Sequence, residues 1–109
     1  MFANSANLLK RFQLFYFRMG IEYKLSFSSS DIQKIQRLLT LISSFSQFDP
    51  NAEIYEFRRS DNLGKMPNVF VKIESDGLYL CNNGGGEKLL EDLVQKIESE
   101  FGSCELEEL

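Results

Sequence analysis

Hydrophobic residues along this chain change their spacing several times, and each change marks an element. Over residues 5–19, Leu8, Leu9, Phe12, Phe15, Tyr16 and Met19 recur three and four apart, the spacing of one helical face. Lys10, Arg11, Gln13 and Arg18 take the opposite face, and Gly20 stands where a helix end favours a left-handed residue. From residue 21 to 27 the period drops to two. Ile21, Tyr23, Leu25 and Phe27 alternate with Glu22, Lys24 and Ser26, predicting a strand with one buried face. Helical spacing returns with Ile32, Ile35, Leu38, Leu39, Ile42 and Phe45. Ser30 and Gln33 have the spacing of a capping box, and Asp49-Pro50-Asn51 predicts the turn that ends this segment.

Residues 53–59 predict a second strand, with Tyr55 and Phe57 on one face and Ile54, Glu56 and Arg58 on the other. Residues 69–82 predict a hairpin about a type I′ turn at Asp76-Gly77, which pairs Ile73 with Leu80 and Lys72 with Cys81. Directly opposed residues share a face. Val69, Val71, Ile73, Leu78 and Leu80 therefore fall on one side, and Phe70, Lys72, Glu74, Tyr79 and Cys81 on the other. Residues 87–101 predict a helix with Leu89, Leu90, Leu93, Val94, Ile97 and Phe101 facing inward and Gly102 just beyond its end. The expected fold is α+β: a two-layer sandwich with a mainly antiparallel sheet of about four strands and helices packed on one face. The expected order is α-β-α-β-β-β-α, with a last strand as an option. Residues 1–20 are read as an N-terminal amphipathic helix or extension. Residues 21–103 are read as a single domain, and 104–109 as an acidic tail or short edge strand.

A chain of 109 residues, 43% hydrophobic and 26% charged, suits one globular domain. It contains no histidine, which excludes a Ser-His-Asp triad, a Cys-His pair and the histidine-bearing zinc motifs. The net charge of -4 is unevenly spread. Lys10, Arg11 and Arg18 stand without an acid in the first 20 residues, whereas residues 85–109 set eight acids against Lys88 and Lys96. An acidic body repels a polyphosphate, so nucleic acid is not an expected partner. The central α-β-β-β-α order resembles the layout of double-stranded RNA-binding domains, but those begin their last helix with basic residues where this chain has Gly86-Glu87-Lys88. Residues 8–17 are too short, and too charged at Lys10 and Arg11, to span a bilayer. The spacing of Cys81 and Cys104 matches no metal or redox motif, which predicts free thiols and a cytoplasmic location.

Asn82, Asn83, Gly84, Gly85 and Gly86 lie between a strand and a helix start, where backbone amides offer a cradle for an anion. Neither glycine-rich phosphate motif is present, and Glu87, Glu91 and Asp92 follow. Asp49, Asn51 and Glu53 begin a calcium-loop pattern that fails at Ile54 and Ser60. Glu53, Glu56 and Glu74 have no nucleophile or metal motif beside them, and Arg58, Arg59 and Lys65 read as a solvated basic edge. No catalytic residue, metal or cofactor is therefore expected. The expected function is a non-catalytic protein-protein interaction or regulatory domain whose partner is another protein or a second copy in a homodimer. Phe12, Phe15, Tyr16, Phe70 and Tyr79 are the candidate contact residues, on a basic aromatic helix and a half-apolar sheet face. The alternative is a small-ligand regulatory module with its site at residues 82–86.

Overall fold

The alternation of Ile21, Tyr23, Leu25 and Phe27 does form a strand, β1 (Ile21–Phe27), in a computed structural model that describes residues 20–29 and 31–109. The helix expected over residues 5–19 lies outside the described residues. After β1 come α1 (Ile32–Leu41), β2 (Phe45–Asp49), β3 (Ile54–Phe57), β4 (Val69–Glu74), β5 (Gly77–Asn82), α2 (Glu87–Phe101) and β6 (Cys104–Glu108). The strands form one sheet in the order β2-β3-β4-β5-β1-β6, and every neighbouring pair is antiparallel. The class is α+β as expected, but the sheet has six strands instead of about four.

The two additional strands have separate causes. Helix α1 stops at Leu41, and Ile42 is already extended at φ -69, ψ 132. Phe45 therefore belongs to β2 and not to the preceding helix. The register between β2 and β3 shifts between Phe45 and Gln47, and this irregularity brings Phe45 and Phe48 onto the same face, opposite Phe57 and Tyr55. An extra residue in a strand thus imitates the three-residue spacing of a helix. The second is the edge strand, one of the two expectations for residues 104–109: it pairs with β1 as β6 and places Leu106 opposite Leu25. Glu105 and Glu107 on this edge strand disfavour pairing with a further sheet edge.

Two local expectations are corrected. Asp31 caps α1, its side chain accepting from the Lys34 amide at 3.0 Å, and the expected cap Ser30 lies outside the described residues. The β4–β5 hairpin turns one position earlier than expected. Glu74 faces Gly77, Ile73 faces Leu78 and Val71 faces Leu80, so Ser75 and Asp76 form the turn. Gly77 is needed as a strand residue because β1 crosses it closely; a Cβ there would lie 1.9 Å from the Leu25 carbonyl oxygen. The move preserves the expected faces, since each partner changes by two positions.

The core lies between one sheet face and the two helices. Leu25, Val71, Leu78 and Leu80 from the sheet meet Ile35 and Leu39 of α1 and Leu90, Leu93, Val94 and Ile97 of α2. Leu25, Val71, Leu80 and Leu39 are each 0% exposed. Full burial of one such side chain is worth about 1.5–3 kcal/mol. Phe45 and Phe48 pack around Tyr55 at the β2 end with tilted rings, their centroids 6.2 and 4.6 Å from its ring.

Candidate interaction surface

With both described helices on the inner face, the even-numbered residues of β1 and β4 and the odd-numbered residues of β5 form the outer face. Phe70 and Tyr79 sit diagonally on adjacent strands, with ring centroids 6.2 Å apart and planes tilted by 43°. Both are half-buried. Cys81 stands directly opposite Phe70 on one side and Glu22 on the other. The chain enters β1 over this corner: at Gly20, φ 84, a Cβ would lie 2.7 Å from the Cys81 Sγ. Gly20 thus adopts the left-handed backbone that its place in the sequence suggested. Phe12, Phe15 and Tyr16 fall outside the described residues.

Charges flank the aromatic pair in a defined pattern. The Tyr79 hydroxyl donates to Glu22 Oε1. Burial pushes the Tyr79 phenol well above its usual range, and the acceptor Glu22 adds to the shift. Lys24 donates to Glu74 Oε1 and, at 2.5 Å, to Asp76 Oδ1. Burial works against the Lys24 charge, but the hydrogen bonds to Asp76 and Glu74 outweigh it and raise the ammonium above its ordinary value. Glu56 is 8% exposed and accepts from Gln47 Nε2 at 3.0 Å, with Arg58 Nη2 at 3.6 Å. It is therefore a paired carboxylate. Lys24, Tyr79 and Glu56 hold the face in place, whereas Phe70 makes no polar contact and supplies apolar area.

The basic residues of the next loop divide into different roles. Arg58 donates to the Gly64 and Lys65 carbonyls at 2.6 and 2.7 Å, so it organises the loop around itself. Arg59 pairs with Asp61 at 2.7 Å. Neither leaves a bare basic edge.

Residues 82–86 are knitted into the fold. Asn82 is 5% exposed, and its Oδ1 accepts from the Gly84 and Gly86 amides at 2.9 and 3.1 Å. Asn68 Nδ2 donates to the Gly84 carbonyl at 2.9 Å, and Asn83 Nδ2 donates to the Pro67 carbonyl at 3.1 Å. A Cβ on Gly86 would come within 2.4 Å of Val69 Cγ2, so glycine here permits close packing. Two of the amides that would face an anion are already satisfied by Asn82, and Glu87 opens the helix beside them.

Among the described residues, no group of three or more acidic or cysteine side chains is placed to hold a metal, and no helix is long and apolar enough to cross a membrane. Cys81 and Cys104 are both free thiols. No family model, curated protein or solved structure matches the chain.

Proposed function

We propose that the chain is a non-catalytic protein-interaction or regulatory domain that presents the outer sheet face to a protein partner in the cytoplasm. The observation that carries this reading is the Phe70–Tyr79 pair on the face opposite both described helices. Aromatic area set among paired charges is the composition of a contact patch, in which apolar anchors supply affinity and the charges set orientation. Phe12, Phe15 and Tyr16 are proposed to extend the same contact. A second copy of the chain is the first partner to test, because symmetric dimers are the commonest oligomers. The small-ligand reading at residues 82–86 has less support, since a ligand must compete there with the Asn82 side chain.

Sedimentation velocity over a range of concentrations tests the proposal. The full chain is expected to form dimers. Phe70→Lys, at a side chain without polar partners, is expected to raise the dimer dissociation constant about tenfold or more, as for an interface anchor. A parent chain that is monomeric throughout, with Phe70→Lys unchanged in solubility and stability, would remove a second copy as the partner of this face.

A further inference from the structure

A second surface lies on the helix side of the sheet, at the end where β2 forms the edge. Ile32 and Phe48 are 43% and 42% exposed, yet both line one groove of about 320 Å³. Tyr55 and Ile73 also line it. The Phe48 and Tyr55 rings are 4.6 Å apart, which makes this wall strongly aromatic. Gln36 and Ser75 contribute polar groups. Among the described residues, the charged lining residues are Glu53 and Glu74, and no lysine or arginine lines the groove. Lys24 engages Glu74 from the outer face, whereas Glu53 is exposed and takes part in none of the ion pairs among the described residues.

We propose that this groove receives a lysine or arginine side chain carried on an apolar segment of a protein partner. An apolar stem ending in a cation matches the wall in both respects. The methylenes cover Ile32 and Phe48, while the charge meets Glu53 and an aromatic face. A neutral side chain gains only the apolar part, and an acidic one is repelled by Glu53. A chain segment is favoured over a free amine because the groove opens beside β2, whose outer edge has no partner strand among the described residues. The proposal rests on the protein-partner reading but uses the opposite side of the sheet from Phe70.

The test is an amide-resolved NMR titration of the full chain with three probes: acetyl-Leu-Lys-Leu-amide, the same peptide with norleucine for lysine, and n-butylammonium. Shifts are expected at Ile32, Gln36, Phe48, Glu53 and Tyr55. The lysine peptide should bind about five- to tenfold more tightly than the norleucine peptide, the range of a cation–aromatic contact plus an exposed ion pair. Glu53→Gln should reduce that difference to the cation–aromatic share, and Phe48→Ala should weaken both peptides. Phe70→Lys should leave the titration unchanged, so binding that persists while association is lost keeps the two surfaces distinct. Equal binding of the lysine and norleucine peptides, or no shifts at the groove, would overturn the proposal. Butylammonium binding as tightly as the lysine peptide would overturn the assignment to a protein segment. Absence of peptide binding alongside Phe70-dependent dimers would sink the groove alone.

Discussion

On β5, Leu80 is fully buried while its neighbour Tyr79 is half-buried and bonded to a carboxylate. The two residues come from one strand and obey different rules. The inner face, with Leu25, Val71, Leu78 and Leu80, is closed by α1 and α2 and is stabilised chiefly by apolar area. The outer face mixes two aromatic rings with Lys72 and with paired polar groups: Lys24 with Glu74, Tyr79 with Glu22 and Glu56 with Gln47. Removing a side chain from the inner face leaves a cavity that packed helices only partly refill. The outer face instead loses hydrogen bonds that water can replace. The difference separates what makes the chain fold from what it displays.

The sharpest way to break this contrast is to truncate the inner side. Leu39→Ala in α1 and Leu93→Ala in α2 remove side chains 0% and 1% exposed. Each is expected to cost about 2–5 kcal/mol, combining lost transfer free energy with a residual cavity. Urea denaturation measures it. Losses under about 1 kcal/mol at both sites would mean that the helices do not close the core tightly, and the contrast between the faces would collapse.

An intermediate effect is expected at Asn82, a polar residue on the inner face. Helix α2 begins at Gly86 without a side-chain cap, and Asn82 compensates by accepting from the Gly84 and Gly86 amides. Asn82→Ala leaves both donors without that partner, at an expected cost of about 1–3 kcal/mol. Hydrogen exchange at Gly84 and Gly86 should accelerate more than exchange within β1. Unchanged protection would show that the loop does not depend on Asn82, and would strengthen the case for a ligand there.

The same inner–outer division explains what the sequence made legible. Alternation located β1, and the helical spacing from Leu89 to Phe101 located α2 with both ends. The faces of β4 and β5 were also readable, because they depend only on parity. What depended on tertiary contact was not. Phe45 and Phe48 keep a helical interval because the β2–β3 register is irregular, which local spacing does not reveal. Gly77 looked like a turn residue, and only the passage of the Leu25 carbonyl explains why it lies within β5. The Phe48 groove was missed for the first of these reasons, since its aromatic wall exists only once β2 is a strand. The Phe70–Tyr79 juxtaposition, by contrast, was visible in the alternation.

The smallest expected effect is on the outer face and depends on pH. Burial pushes the Cys81 thiol above its ordinary value, and the Glu22 charge pushes it in the same direction. Burial and the bond to Glu22 likewise raise the Tyr79 phenol well above its ordinary value. These groups therefore keep their protons in the folded state at pH values where the unfolded chain has begun to lose them. The folded state then binds more protons, so stability falls as pH rises. Their contribution is complete below the unfolded values and is lost as pH climbs through the folded ones, a decline that starts near the ordinary thiol value of about 8.5. Tyr55 and Cys104, also raised by burial, act in the same sense. Urea midpoints measured from neutral to strongly alkaline pH should fall steadily. Cys81→Ala should soften the early part of the fall and Tyr79→Phe the later part, isolating the share of the outer face. At neutral pH, Tyr79→Phe should cost only about 0.5–1.5 kcal/mol, the net worth of one hydrogen bond. A flat alkaline profile would mean that Cys81 and Tyr79 meet water as freely folded as unfolded, and the outer face would then lack the packed corner at Gly20, Cys81 and Phe70.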